Sequence, residues 1–81
     1  MARIDRQVDA RRLLCPLPVI RTQDAATEMQ PGEMLCVVAT DPGVMNDIPA
    51  WCRINGHRVE MIEERADEII ITIKVGGFER D

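Results

Sequence analysis

The chain has 81 residues, and its ten Lys+Arg against fourteen Asp+Glu give a formal charge of -4. That sign argues against nucleic-acid binding through phosphates. The length has room for one domain spanning residues 1–81, and no run of about 18 apolar residues is present to cross a membrane as a helix. Apolar residues at 46% and charged ones at 30% are an ordinary globular balance. Trp51 and Phe78 are the only aromatic residues, so an aliphatic core of Ile, Val, Leu and Met is expected. The first residues hold no apolar leader. Three cysteines, with Cys36 and Cys52 inside apolar segments, do not suit a secreted disulfide framework. Reduced thiols and a cytoplasmic location are the expectation.

Ile4 to Ala10 carries Ile4 and Val8 among polar residues and is expected as an edge strand. From Leu17 to Met29 the spacing of Val19, Thr22, Ala26 and Met29 predicts a helix with one apolar face. Pro18 suits its first turn, and Pro31-Gly32 stops it. Met34 to Thr40 is apolar throughout, as for a central strand covered on both faces or nearly so. After the turn Asp41-Pro42-Gly43, the residues Met45, Ile48, Trp51, Cys52 and Asn55 fall at helical spacing. Asp47 is expected to cap that helix and Gly56 to end it. Arg58–Glu63 and the β-branched run Glu68–Val75 read as an antiparallel hairpin. The order β-α-β-α-β-β predicts a two-layer α/β sandwich, with two helices on one face of a four-stranded mixed sheet.

Cys15, in Cys15-Pro16-Leu17-Pro18, precedes the first helix directly. A thiol reacts as its thiolate, which is scarce at an ordinary pKa of about 8.5. A helix N-terminus favours an anion, and the basic cluster Arg3, Arg6, Arg11, Arg12 and Arg21 flanks the position. Pro16 and Pro18 stiffen the segment, so a rigid, exposed thiol tip is expected. A dithiol oxidoreductase needs a second cysteine three residues on, where this chain has Pro18. A lone activated thiol suits covalent carriage of one sulfur as a persulfide. An inert structural cysteine, a redox-sensing thiol and a non-catalytic regulatory or interaction module remain open on these grounds.

Other constellations have plainer readings. Cys52 and His57 form an isolated C-x4-H, with no C-x-x-C pair, so neither a metal nor a cofactor is expected. Cys36 and Cys52 read as small core residues, and His57 as a surface loop residue. Met45 and Trp51 read as packed. Asp41 and Asp47 are candidate acids that turn and cap roles explain.

The stretch Asp9-Ala10-Arg11-Arg12-Leu13-Leu14-Cys15-Pro16-Leu17-Pro18-Val19-Ile20 resembles the TusA (SirA-like) sulfur carrier family. So do Pro31-Gly32-Glu33, Thr40-Asp41-Pro42-Gly43, Asp47-Ile48-Pro49-Ala50-Trp51-Cys52 and Gly56-His57. The resemblance spans roughly residues 8 to 75 and implies the same α/β fold. It implies that Cys15 accepts persulfide sulfur from a cysteine desulfurase or rhodanese and passes it to an acceptor protein. In relatives the sulfur ends in tRNA 2-thiouridine, in molybdenum cofactor or in sulfur oxidation. Arg12 stands where many members carry glycine, a departure that bears on partner choice. The expected working form is a monomer without direct nucleic-acid or membrane contacts.

Overall fold

The computed structural model describes residues 3–77, so Phe78 lies outside the described residues. The elements follow the expected order: β1 (Arg6–Ala10), α1 (Leu17–Thr27), β2 (Met34–Ala39), α2 (Val44–Asn55), β3 (Arg58–Arg65) and β4 (Glu68–Lys74). They build one four-stranded sheet in the order β1-β2-β4-β3. The strands β1 and β2 run parallel, β2 and β4 antiparallel, and β3 and β4 form the antiparallel hairpin. The hairpin is tighter than the sequence indicates. Arg65 pairs with Glu68, leaving Ala66 and Asp67 as the turn, with Ala66 in the left-handed region at φ 52.

Paired residues on adjacent strands share a face of the sheet. Leu35, Val37 and Ala39 pair with Ile73, Ile71 and Ile69, and all six are buried beneath the helices. From above they meet Ala25 and Ala26 of α1 with Val44, Ile48, Trp51 and Cys52 of α2. The small alanines of α1 let that helix approach closely, which is how a core with one buried aromatic closes. Thr22 is the buried polar residue, and its hydroxyl donates to the Pro18 carbonyl at 2.7 Å, so burial leaves no unmet hydrogen bond.

The expectation that β2 is covered on both faces or nearly so is met only in part: both helices lie on one side, and on the other Val38 is buried while Cys36, Ile70 and Thr72 are half-buried. Cys36 is therefore on the open face rather than in the core, where Cys52 does sit. Met45 is also corrected, since it is an exposed residue of the first turn of α2.

Gly56 ends α2 in the left-handed conformation at φ 79, from which His57 N–H donates to the Cys52 carbonyl at 2.8 Å. His57 is not a free loop residue. Its ring packs on Trp51 with centroids 4.8 Å apart, and its Nδ1 accepts the Gly76 N–H at 2.9 Å. Burial lowers its pKa from the ordinary value, and protonating Nδ1 would remove the acceptor. A folded pKa below the unfolded one gives stability that is present above about pH 6.5 and lost as pH falls through the folded value. Thermal melts between pH 7.5 and 5 are expected to show falling midpoints, and His57→Gln should flatten that slope.

Candidate functional site

Parallel pairing of β1 and β2 brings the C-terminal ends of both strands to one end of the sheet. The chain leaves β1 to enter α1 there, and leaves β2 to enter α2. In open α/β sheets the crevice beyond those strand ends is where chemistry collects. Cys15 lies in the first of these loops. Gly43 opens α2 from the second, and a Cβ added to it would stand 3.1 Å from Cys15 Sγ. The thiol thus rests directly against the glycine backbone, which needs the missing side chain for this approach. Its φ of −58 makes no such demand.

One carboxylate ties the two loops together. Asp41 Oδ2 accepts the Cys15 N–H at 2.9 Å and Asp41 Oδ1 accepts the Gly43 N–H at 3.0 Å. The turn role expected for Asp41 is present, but it is half of what this side chain does. Asp47 departs further from expectation. It lies in the first turn of α2 without capping it, because the N-cap is Gly43 and makes no side-chain bond. Its carboxylate instead lies close enough to the Cys15 thiol to raise the thiol's pKa, as that of Asp41 also does.

The electrostatics of the thiol are the reverse of those expected. Burial, then the bonds to Asp47 and Asp41, push Cys15 up to about 12. The N–H bonds from Gly43 and Cys15 and the thiol contact hold Asp41 below its ordinary value. Two expected sources of positive potential are spent elsewhere. Arg11 turns back to Asp9 at 2.9 Å and to Glu68 at 3.3 Å. At the entry to α1, Leu17 N–H donates to the Leu14 carbonyl at 2.9 Å, Pro18 has no N–H, and Val19 and Ile20 share the Pro16 carbonyl at 3.1 Å each. The first N–H groups of α1 are engaged locally and do not point at sulfur.

Pro18 is fully buried, Pro16 is the exposed N-cap of α1, and the Cys15–Pro16 peptide is cis. The thiol is half-buried rather than exposed, with Leu13 and Val19 also packed on the core around it. Leu14, Leu17 and Ile20 in or next to the first turn of α1 and Met45 in that of α2 stay exposed.

Arg12 has positive φ, 66, and its N–H donates to Thr40 Oγ1 at 2.8 Å. It lines a polar cleft of about 580 Å³ with Asp9, Arg11, Thr40, Asp67 and Glu68. Cys36, Cys52 and His57 are not brought together. Cys36 is on the open sheet face, Cys52 in the core, and His57 beyond the far end of α2, about 18 Å along the helix axis from Gly43. Among the described residues no three of His, Cys, Asp and Glu gather in a form that could hold a metal.

The Sulfurtransferase TusA family matches residues 6–75, which takes in every described strand and helix. The chain belongs to this family. YrkI of Bacillus subtilis is 38% identical over 72 residues, covering 89% of this chain and 96% of its own. Sulfur carrier protein TusA of Allochromatium vinosum is 35% identical over 74 residues, covering 91% and 97%. Among solved structures, the SirA-like protein of Desulfitobacterium hafniense superposes with a TM-score of 0.77 at 25% identity, covering 88% of this chain and 97% of that one. Within the matched span, Cys15 to Pro18 stand on one side of the crevice and Thr40 to Gly43 on the other.

Two outcomes follow from the site. A thiol held near 12 should alkylate with iodoacetamide at a rate still rising about tenfold per pH unit up to pH 10. An ordinary thiol near 8.5 would level off by about pH 9.5. Second, an L-residue at φ 66 costs about 1–2 kcal/mol that glycine avoids, offset by about 0.5–1 kcal/mol of extra freedom in the unfolded chain. Arg12→Gly should therefore raise the thermal midpoint slightly, and a fall would show that the arginine side chain contributes more than its backbone costs.

Proposed function

We propose that this chain is a sulfur carrier that holds one sulfane sulfur as a persulfide on Cys15. The observation that carries the reading is a solitary thiol placed where both helix entries meet, half-open to solvent, with Cys36 and Cys52 out of its reach. The donor is a cysteine desulfurase or rhodanese bearing a cysteine persulfide. Cys15 Sγ attacks the terminal sulfur, the new S–S bond forms on Cys15, and the donor's S–S bond breaks to return its thiol. The reverse geometry passes the sulfur on. An acceptor protein's thiolate attacks the terminal sulfur of the Cys15 persulfide, toward tRNA 2-thiouridine, molybdenum cofactor or sulfur oxidation. No net oxidation occurs in either step.

The other named residues support this role. Buried Pro18 and N-cap Pro16 fix the sulfur-bearing segment, so the thiol is presented without reordering the loop. Arg12 in the neighbouring cleft selects among partners. The apolar rim of Leu14, Leu17, Ile20 and Met45 receives them. The whole chain of 1–81 acts as one domain and as a monomer in the reducing cytoplasm, where its three free thiols persist. No described helix is long and apolar enough to cross a membrane.

Incubation with a cysteine desulfurase, pyridoxal phosphate and cysteine, followed by intact mass measurement, is expected to add sulfur that a thiol reductant removes. Cys15→Ser should melt like wild type and gain none. Addition at Cys36 or Cys52 instead, or no addition at all, would refute the assignment. A disulfide or sulfenic acid on Cys15 under peroxide, with no dependence on the desulfurase, would favour a redox sensor.

A further inference from the structure

We propose that the polar cleft beside Arg12 binds the α-amino-acid head, ammonium plus carboxylate, of a small thiol's persulfide, which then loads Cys15 directly. This rests on the persulfide reading above and adds a small-molecule donor to the protein donors named there.

The cleft and the sulfur share one support. Arg12 N–H donates to Thr40 Oγ1 at 2.8 Å and Cys15 N–H to Asp41 Oδ2 at 2.9 Å. Two successive residues after β2 thus clasp the loop between β1 and α1 at two points. The Arg12 clasp borders the cleft of about 580 Å³, a volume within the usual range for small-ligand sites. The other clasp holds the thiol. Three residues of chain reach at most about 11 Å, which bounds the separation of the Arg12 and Cys15 backbones.

The charges lining the cleft are only partly spent. Arg11 is closed off by Asp9 at 2.9 Å and Glu68 at 3.3 Å. The guanidinium of Arg12 and the carboxylate of Asp67 make no ion pair or hydrogen bond with any described residue. Asp67 reaches the cleft from the turn of the β3–β4 hairpin. One free cation and one free anion therefore line the same space. A simple anion meets repulsion from Asp67 and Glu68, and a simple cation meets it from Arg12. A zwitterion satisfies both, its carboxylate pairing with the fork of the guanidinium and its ammonium with Asp67. Arg12 also holds a left-handed backbone, φ 66, where glycine would sit without strain. A strained arginine whose side chain has no internal partner points to a task for that side chain outside the fold.

The transfer balances without an added oxidant: R–S–SH + Cys15–SH → R–SH + Cys15–S–SH. Cys15 Sγ bonds to the terminal sulfur, the donor's S–S bond breaks, and the Cys15 proton passes through solvent to the departing thiolate. Extended glutathione persulfide spans about 10 Å from its γ-glutamyl head to its terminal sulfur by ordinary bond lengths, and cysteine persulfide about half as much. Both are donors in the test.

Arg12 and Asp67 are exposed, so Arg12→Gln and Asp67→Asn should fold, which thermal melting checks. The first measurement involves no transfer. S-methylglutathione, which carries the head but no reactive sulfur, is titrated into the protein and backbone amide shifts are followed. Saturable shifts at Arg12, Thr40 and Asp67 are expected in wild type, and their loss in Arg12→Gln. The second follows Cys15 loading by intact mass across a range of concentrations of glutathione persulfide, cysteine persulfide and the neutral persulfide of 2-mercaptoethanol. Either variant should raise KM for a donor with the head about 2-fold to 5-fold, leave kcat unchanged and leave the neutral donor unaffected. The donor whose KM moves more identifies the source of the head. Absent shifts in wild type, shifts that persist in Arg12→Gln, no KM change for either headed donor, or an equal change for the neutral one would each overturn the proposal. Wild type that loads from the desulfurase yet shows neither shifts nor Arg12 dependence removes only the cleft. Wild type that gains no sulfur from any donor removes the carrier reading with it.

Discussion

The Asp41 carboxylate bridging the Cys15 and Gly43 N–H groups is the constraint on which the site depends. Each loop alone is a short connection from a strand to a helix. Parallel pairing of β1 and β2 puts them at the same end of the sheet, but pairing sets only the strand register. The bridge then fixes the sulfur against the Gly43 backbone, where a single added methyl group would crowd it. A charge-assisted hydrogen bond is about twice as strong as a neutral one, and here two of them share one anion. The same anion raises the proton affinity of the thiol it positions. One group thus fixes the position of the sulfur and adds to a proton affinity that burial raises most.

The sheet contributes by being one-sided. With both helices on one face, the buried rows Leu35–Val37–Ala39 and Ile69–Ile71–Ile73 carry the packing, and the opposite face holds polar and half-buried residues such as Thr72 and Cys36. The second thiol is consequently separated from Cys15 by the sheet itself, and the third lies under α2 in the core. In Cys52 burial alone pushes the thiol up to about 12. The same elevated value arises at Cys15 with help from carboxylates on the surface, and this difference separates an inert cysteine from a guarded one.

Element order, helix stops and the hairpin were legible in the sequence because each rests on local signals: periodicity, Gly56, Pro31-Gly32, and a β-branched run. Cys15 was legible because two prolines and a helix entry adjoin it. The charge around it was not. Arg11 and Arg12 are close in sequence, yet the chain reverses after β1, sending Arg11 to Asp9 and Glu68 and Arg12 into the polar cleft. Asp41 lies 26 residues from the cysteine it contacts. Its turn motif and the first-turn place of Asp47 each have a sufficient local explanation, which conceals their long-range one. The readable signal was topological: an acidic turn following the strand that pairs in parallel with the one leading to the cysteine. Arg12 stands where the family resemblance has glycine, and the left-handed φ at that position is the physical reason glycine fits there.

A raised thiol proton affinity looks unfavourable for a nucleophile, yet it suits a carrier. Small oxidants and electrophiles consume thiolate, and a carrier spends most of its time away from its partners. Holding Cys15 protonated between two carboxylates keeps it inert in transit, at the cost of slow attack on a donor.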